Sequence, residues 1–323
     1  MLFMNKNEII KRKPKVPNLE KVRFEIDKII NSGFEDFKID DIGDLDAYHN
    51  KLSKLFLEKI GLLFYNFIPT SSVQLKSKIY RVRRYKSGMN LGLISEYSYC
   101  PVPLCTGFYR ANYPNNPVFY SSPDAKTALV EVFQGEFDKE EGELFLIPEW
   151  SFREGENLNI TPFVFSDRFD DQFVSGFQKR MIKKVIDTFH ELNEEEINSI
   201  KEILVFFSNL FLYEDTYKIT SFLAHSHIYS DSGYQSDVFM YPSVQTKYST
   251  LNYAINPNTV DQKMRLEKVY AVRVNKFLKE GDLATVNFGF EKVGINNDCK
   301  IDWKDFDDQS ISDFKKIFPS LDE

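Results

Sequence analysis

The chain has 323 residues, of which 42% are hydrophobic and 28% are charged, and its formal net charge is −7. This composition is typical of a globular protein and excludes a disordered or fibrous chain, and no apolar run approaches the ~20 residues that a transmembrane helix needs. The acidic charge argues against nucleic-acid binding, which requires a basic surface, so we expect neither a nucleic-acid partner nor a membrane.

The opening segment and the cysteines indicate a cytoplasmic protein. Residues 1–10 contain too short an apolar stretch for a secretion signal and no small-residue cleavage site. The three cysteines, Cys100, Cys105 and Cys299, lack metal-ligand spacing and are most simply free thiols in a reducing compartment. The basic segment KNEIIKRKPK, residues 6–15, is interpreted as a solvated arm.

Residues 1–75 are predicted to form a helical N-terminal region. Apolar residues recur at helical spacing from Leu19 to Ile30, and Gly33 is a suitable helix stop. A second apolar pattern begins at Leu45 and closes at Pro69. Neither segment carries a chemical motif, so this region is expected to be a small helical module or a partner surface.

The pattern changes to short strands near residue 76, where a core domain of residues 76–276 is predicted to begin. In KIYRVRRY, alternation places Arg81 and Arg83 on one face of a strand and Tyr80 on the other. Residues 142–148 and 268–274 are further strand candidates. Because the chain as a whole is acidic, an anionic ligand would have to be held by a local arginine cluster of this kind.

The segment PVFYSSPDAKTALVEVF, residues 117–133, combines a short strand, a helix start and an amphipathic helix. A strand is predicted over residues 118–120, and Ser122-Pro123-Asp124 favours helix initiation, with serine as the cap. The apolar face of the helix consists of Ala125, Ala128, Leu129, Val132 and Phe133. Glu131 lies on the flank of that face, where the local pattern alone indicates a solvated helix charge.

Two further regions complete the chain. Residues 138–216 are predicted to be a helical insertion, in which Asn193 followed by Glu196 resembles a capping box and apolar residues recur from Ile197 to Phe211. Residues 277–323 are predicted to be a polar C-terminal extension, with DWKDFDDQ at the surface.

No metal site is expected. His225 and His227 are two residues apart, point to different sides of a helix, and have no third ligand at useful spacing. The acidic segment SDRFDDQ, residues 166–172, lacks the central glycine and final glutamate of a calcium loop, and no glycine-rich phosphate loop is present.

Four stretches together resemble the RES domain family, which is named for an arginine, a glutamate and a serine in that chain order. The first arginine corresponds to Arg81 in IYRVRR, and a second one, before a strand ending in tyrosine and serine, corresponds to Arg110. The glutamate on the following helix corresponds to Glu131 in ALVEVF. The serine after tyrosine and proline corresponds to Ser243, with the asparagine-containing strand LNYAI just after it and the family's aspartate matched by Asp237.

The resemblance spans residues 76–257, and GFY replaces the glycine pair that often precedes the second arginine. It implies an α+β fold with an ADP-ribosyltransferase-like mixed β-sheet core and flanking helices, here extended by the helical N-terminal region and the helical insertion. It also implies an enzyme that consumes NAD+ as a bacterial toxin and requires no cofactor besides this substrate. An antitoxin protein, in a toxin–antitoxin or phage-defence setting, is the partner that the resemblance implies.

The matched residues suit that chemistry. Breaking the bond between nicotinamide and ribose leaves positive charge on the sugar, and the carboxylate of Glu131 would stabilise that charge. Arg81 is expected to grip the diphosphate, with Arg110 second and Arg83 as a support. Tyr120 would stack on a flat ring.

Ser243 would bind the ligand or orient Glu131.

Three functions stay open for a protein with these residues. The first is NAD+ degradation with water or phosphate as the acceptor, and the second is transfer of ADP-ribose to a protein. The third is a non-catalytic NAD- or ADP-ribose-binding or interaction module, in which the helical N-terminal region does the work.

Overall fold

The computed structural model describes residues 15–37, 44–61, 71–133, 141–165, 178–180, 182–183, 186–187, 191–214, 216–230, 235–246, 249–280, 283–297 and 300–318. The features expected over residues 1–14, 62–70 and 166–172, and at Cys299, lie outside these ranges. Within them, no helix combines the length and the apolar character that crossing a membrane requires.

The expected α+β class is confirmed, because helices and two β-sheets make up the described residues. The helices are α1 (Leu19–Asn31), α2 (Leu45–Ile60), α3 (Ala125–Phe133), α4 (Glu194–Tyr213), α5 (Lys218–Ile228), α6 (Pro257–Lys263) and α7 (Asp308–Ile317). The strands are β1 (Ser71–Val73), β2 (Ile79–Tyr80), β3 (Arg83–Arg84), β4 (Phe119–Ser121), β5 (Leu144–Phe152), β6 (Leu158–Pro162), β7 (Val238–Pro242), β8 (Leu251–Ile255), β9 (Met264–Glu280), β10 (Leu283–Asn297) and β11 (Lys300–Lys304).

The chain divides into two compact units. The first comprises Met1–Ser71, Gly107–Tyr113 and Thr161–Gln235, and the second comprises Ser72–Thr106, Pro114–Ile160 and Ser236–Glu323. The helical N-terminal region therefore shares a unit with the long helix α4, although more than 130 residues separate them in the chain.

The first unit is a group of helices with an aromatic core. Asn18 caps α1 and Asp44 caps α2, each by accepting hydrogen bonds from backbone N–H groups of the first turn. The ring of Phe56 packs against Phe207 of α4 and Phe222 of α5, with centroid distances of 5.1 and 5.8 Å. Burying such rings stabilises the helical unit.

Two sequence predictions for these helices have different outcomes. The capping box is confirmed, since Asn193 and Glu196 exchange side-chain and backbone hydrogen bonds at the start of α4. The prediction for Ile30 is wrong, because its side chain is 52% exposed whereas Val22, Ile26 and Ile29 are buried. Ile30 lies about 100° around the helix from Ile29, at the edge of the buried stripe.

The second unit contains both sheets, apart from the first residue of β1 and the last two residues of β6. One has five strands in the order β1-β6-β7-β8-β4, and the other has six strands, of which five follow the order β11-β10-β9-β5-β2 while β3 also pairs with β5. The pairings β4–β8 and β7–β8 are antiparallel, with Tyr120 opposite Ala254 and Tyr241 opposite Asn252. The two sheets are joined where the backbones of Tyr80 and Ser122 exchange two hydrogen bonds of 2.8 Å.

The predicted strand KIYRVRRY is interrupted at Arg81. The pairs Tyr80–Glu149 and Arg83–Leu146 keep one register, so Arg81 lies opposite Pro148, and its N–H donates to the Pro148 carbonyl at 3.2 Å. Proline has no N–H to return that bond. The ladder therefore breaks at this residue, and β2 and β3 are separate strands.

The structure also differs from the predicted division of the core domain. Residues 138–216 are not simply a helical insertion, because they include β5, which pairs with β9 along nine residues of the six-stranded sheet. The boundary expected at residue 277 falls inside β9, and the following chain forms β10, β11 and α7. Phe314 and Phe318 of this C-terminal part are buried in the same core cluster as Tyr270, so the last segment belongs to the core.

Candidate functional site

The helix α3 begins with a cap that fixes its orientation. The side chain of Asp124 accepts a hydrogen bond from the N–H of Thr127 at 2.8 Å, so Asp124 is the cap that the sequence analysis had assigned to serine. Ser122 instead donates its hydroxyl to the carbonyl of Leu251 on β8 at 2.9 Å. The Ser122 bond ties the chain at the start of α3 to β8, nine residues before Glu131.

Glu131 is held by one of its two carboxylate oxygens. Its Oε1 accepts hydrogen bonds from the Ser243 hydroxyl at 2.6 Å and from Nδ2 of Asn252 at 2.7 Å. Both donors are buried, whereas Glu131 itself is only half-buried. No other described residue donates to Oε2, so this oxygen is left to interact with a ligand or with solvent.

The hairpin of β7 and β8 presents the two donors side by side. Ser243 follows Pro242 at the end of β7, and its N–H donates to the carbonyl of Thr250 at 3.0 Å. Asn252 lies opposite Tyr241 in the β7–β8 pairing, so its side chain and that of Ser243 project from the same face of the sheet. The asparagine-containing strand after Ser243 is part of the family resemblance, but the sequence does not predict that Asn252 contacts Glu131.

Arg81 lies at the outer edge of β4. Its Nη1 donates to the carbonyl of Tyr120 at 3.0 Å, and its Cζ is 5.4 Å from the centroid of the Phe119 ring. Its Nε is buried and has no hydrogen-bond partner among the described residues. No described carboxylate forms an ion pair with this guanidinium.

The environment of Arg81 disfavours its positive charge. Burial lowers the pKa of this guanidinium to about 10, and the neighbouring charge of Arg83 contributes in the same direction. An anion placed beside Arg81 would stabilise the charged form and would offer the acceptor that Nε lacks. The arrangement therefore has the chemistry of an anion-binding position.

Tyr120 lies between the Glu131 group and Arg81. Its side chain shares a sheet face with Ala254 and Asn252, and Asn252 is its diagonal neighbour, a relation that places Cα atoms about 7–8 Å apart. Its carbonyl binds Arg81, whose guanidinium contacts Phe119 on the opposite face. No hydrogen bond or ion pair of the described residues joins Arg81 to Glu131. Glu131 contacts Asn252 on the face of the Tyr120 side chain, whereas Arg81 contacts the Phe119 ring on the other face of β4.

The other arginines expected at the site have protein partners. Arg83 donates to the backbone carbonyl of Glu96 and lies 3.9 Å from its carboxylate. Arg110 belongs to the first unit, where its Nη1 donates to the carbonyl of Phe211 and its Cζ lies 5.1 Å from the centroid of the Tyr217 ring. Arg110 thus fastens the C-terminal end of α4 to the residues that precede α5.

Asp237, which matches the family's aspartate, holds the second unit together. It accepts hydrogen bonds from Lys263 at 3.0 Å, from the Thr259 hydroxyl at 2.6 Å and from the N–H of Asn159 at 2.8 Å. These partners lie on β6 and α6. The geometry indicates a structural role for this carboxylate, ahead of the strand that leads to Ser243.

His225 and His227 point to different surroundings. The ring of His225 stacks on Tyr113 at 4.5 Å, whereas that of His227 packs edge-on against Phe163 at 6.0 Å. Burial lowers the pKa of His225 to about 4 and that of His227 to about 3, and nearby His49 contributes to the shift at His225. The described part of the chain contains no group of three or more potential metal-ligating histidine, cysteine, aspartate or glutamate residues.

Comparison with known proteins adds no relative to this picture. No family model matches the sequence, and a search of curated proteins found no match.

Proposed function

We propose that this protein cleaves the bond between nicotinamide and ribose in NAD+, with water or phosphate as the acceptor. The resemblance of residues 76–257 to the RES family, with its ADP-ribosyltransferase-like core, motivates the proposal. The observation that carries it is the fixed carboxylate of Glu131, which has two buried donors on Oε1 and, among the residues that the structure describes, none on Oε2.

A carboxylate in this state suits the cleavage of a glycosidic bond. As nicotinamide departs, positive charge develops on the ribose. The Ser243 and Asn252 donors orient Glu131 before the reaction, so the carboxylate would need little reorganisation when the charge appears. Oε2 accepts no hydrogen bond from the described residues, and it is the oxygen that would face the sugar, either at its reacting carbon or at a ribose hydroxyl.

Arg81 is the group that would bind the diphosphate. Its buried Nε has no acceptor and its charge has no described carboxylate partner, so a phosphate oxygen would satisfy both. Since β4 lies between Arg81 and Glu131, the proposal requires the dinucleotide to cross the outer edge of β4 near Tyr120. The Tyr120 ring, on the Glu131 side, would then contact the ribose or the nicotinamide.

The assay that tests this function follows free nicotinamide after purified protein is mixed with NAD+. We expect turnover by the wild type, a loss of about 10²–10³-fold for Glu131→Gln, and an increase in KM of about tenfold or more for Arg81→Ala. The matched controls are Glu291→Gln, in an exposed ion pair with Arg273, and Arg84→Ala, at an exposed position of β3. No nicotinamide release by the wild type would reject the proposal.

The acceptor is determined by the products of the same reaction. ADP-ribose indicates water, and ADP-ribose 1″-phosphate indicates inorganic phosphate. Radiolabel from NAD+ that remains on a protein band in lysate would instead identify a protein ADP-ribosyltransferase. Binding of NAD+ with no product of any kind would identify a non-catalytic module.

A toxin acting in the cytoplasm is the cellular role that we propose for this activity, with an antitoxin protein as its partner. Expression of the wild type in a bacterial host should lower the cellular NAD+ concentration and stop growth, whereas Glu131→Gln at the same level should do neither. Equal growth and equal NAD+ for both proteins would contradict this role.

A further inference from the structure

The hydroxyl of Thr127 points away from its own helix. Thr127 lies in the first turn of α3 with 1% of its surface exposed, and its Oγ1 donates to the Oγ1 of Thr250 at 2.9 Å. A threonine inside a helix commonly bonds the carbonyl one turn back. Here the bond crosses instead to the residue that precedes β8.

Thr127 and Glu131 lie four residues apart and therefore share one face of α3. The hydroxyl of Thr127 binds Thr250, and the carbonyl of Thr250 accepts the N–H of Ser243 at 3.0 Å. The Ser243 hydroxyl then donates to Glu131 at 2.6 Å. One helix face and one hairpin end are thus joined by two side-chain hydrogen bonds, one helical turn apart.

Thr246 joins Thr127, Ser243 and Thr250 in a cluster of hydrogen-bonded side chains at the hairpin end. Its hydroxyl shares a hydrogen bond of 2.8 Å with the Thr250 hydroxyl, and its N–H donates to the Ser243 oxygen at 3.4 Å. Ser243 Oγ accepts this N–H through a lone pair and donates its one hydroxyl hydrogen to Glu131. The cluster accordingly fixes both the place and the direction of the Ser243 donor.

We propose that Thr127 is a positioning residue for Glu131. Its hydroxyl fixes the register of α3 against the hairpin, so the carboxylate meets Ser243 and Asn252 in a single orientation. This inference rests on the proposed function, in which Glu131 must be oriented before the ribose becomes charged. A displacement of about 1 Å at a reacting group can reduce a rate up to about 100-fold.

The kinetic test compares Thr127→Val, which keeps the shape and removes the hydroxyl, with Thr127→Ser, which restores it. We expect the kcat for nicotinamide release to fall about tenfold in Thr127→Val, with KM within about twofold of the wild type. Thr127→Ser should recover at least half of the wild-type kcat. In a background that carries both Ser243→Ala and Asn252→Ala, Thr127→Val should have little further effect, because both donors that orient Glu131 are gone.

The matched control is Thr259→Val. This threonine is also buried in the second unit, and its hydroxyl also donates to a side chain, that of Asp237. Its removal should lower the unfolding midpoint without lowering kcat. Equal kcat losses in Thr127→Val and Thr259→Val, or no recovery in Thr127→Ser, would overturn the positioning role.

A spectroscopic measurement separates this inference from the proposed function. The side-chain amide protons of Asn252 report the bond to Glu131 by ¹⁵N-correlated NMR, whether or not the protein turns over NAD+. We expect these signals to shift in Thr127→Val and to stay at the wild-type position in Thr127→Ser and Thr259→Val. Unchanged Asn252 signals in Thr127→Val would overturn the inference, whereas a wild type that releases no nicotinamide would overturn only the function.

Discussion

The two oxygens of the Glu131 carboxylate have different surroundings. Oε1 is bonded to Ser243 and Asn252, and Oε2 has no partner among the described residues. Replacing Glu131 with glutamine would keep an oxygen able to accept both bonds, while it removes the charge and puts an N–H donor at the position of Oε2. Activity lost in that variant can accordingly be attributed to the charged acceptor at Oε2 and not to loss of the Ser243 and Asn252 bonds.

Asn252 is expected to contribute to activity through Glu131. In Asn252→Ala, the carboxylate keeps only the Ser243 donor, and we predict a fall in kcat of about tenfold with KM nearly unchanged. The cost in unfolding free energy should be about 1 kcal/mol. Steady-state kinetics and urea unfolding measure the two effects.

The control for this prediction is Asn296→Ala on β10. Asn296 also donates its side-chain amide, to the carbonyl of Leu266 at 2.8 Å, and should lose stability without losing nicotinamide release. Similar kcat losses in the two asparagine variants would contradict a specific role for Asn252.

Arg81 is expected to lower the free energy of unfolding while it contributes to NAD+ binding. Burial lowers its pKa in the folded protein to about 10, below its ordinary value, so folding disfavours its charged form at every pH below about 10, and this cost is relieved as the pH rises above that value. We therefore predict that Arg81→Met has an unfolding free energy at pH 7 equal to or above that of the wild type. Its KM for NAD+ should rise at least about tenfold.

Thermal unfolding with and without ADP-ribose checks both parts of the Arg81 prediction. The ligand should raise the midpoint of the wild type and of Arg84→Met, but not that of Arg81→Met. A large loss of stability in Arg81→Met, together with a normal response to ADP-ribose, would show that this arginine is structural.

The sequence pattern suggested some of these residue contacts and missed others. Ser243 was expected to bind the ligand or orient Glu131, because tyrosine and proline before it resemble the family's serine motif. Asn252 lies in LNYAI, a strand whose five residues are all buried, and nothing in its local pattern indicates what its amide contacts. Only the register of β7 and β8 brings its side chain beside that of Ser243.

At the scale of elements, a close approach between β10 and β11 requires glycine at position 294. A Cβ there would lie 2.4 Å from Cγ2 of Ile301, which is buried, and 3.2 Å from the ring of Trp303. Both neighbours belong to the paired strand and cannot move away without breaking the pairing. This contact fixes how β11 lies on the six-stranded sheet.

We predict that Gly294→Ala lowers the unfolding free energy by about 1–3 kcal/mol, because overpacking forces side chains or strands apart. The control is Gly289→Ala on the same strand, where a Cβ would meet only the exposed amide group of Asn275 at 3.0 Å. Urea unfolding followed by tryptophan fluorescence compares the variants. Equal stability of the two would show that β11 adjusts without cost.

Element positions were easier to predict than element ends. The amphipathic patterns located α1, α2, α3 and α4, since a buried helical stripe recurs over several turns. The interruption between β2 and β3 depends on Pro148, which lies 67 residues beyond Arg81, and the alternation in KIYRVRRY contains no sign of it. Pairing partners decide where a strand breaks, and the local pattern does not include them.

At the scale of the whole molecule, each unit is assembled from distant parts of the chain. The second unit needs residues 283–318, because Phe288, Phe314 and Phe318 share a core with Tyr270 and Phe145. Composition suggested a polar extension there because charged residues alternate with these rings. Because the buried aromatic residues alternate with charged residues on a strand and on the short helix α7, the composition of this segment does not reveal how much of it is buried.

Acid should destabilise the first unit through its buried histidines. In the folded protein, burial lowers the pKa of His227 to about 3 and that of His225 to about 4, both below the ordinary value of about 6.5. Stability from keeping these rings neutral is fully present above pH 6.5 and is lost as the pH falls toward 4 and 3. The slope for His227 is at most about 1.4 kcal/mol per pH unit.

Urea unfolding at pH 7, 6 and 5, followed by far-UV circular dichroism, measures this loss. His227→Phe removes the proton-binding group and retains an aromatic ring beside Phe163, so its stability should fall less steeply with acid. Parallel pH profiles for the two proteins would contradict the assignment of the slope to His227.

We propose that the negative charge of Glu131 promotes the cleavage of NAD+. The most direct test of this role is the single-turnover rate of nicotinamide release, measured with Glu131→Gln and wild-type protein of matched unfolding midpoint. We predict a rate about 10²–10³-fold lower for Glu131→Gln, with ADP-ribose affinity within about threefold of the wild type. Equal rates for the two proteins, or no release by either, would contradict the claim.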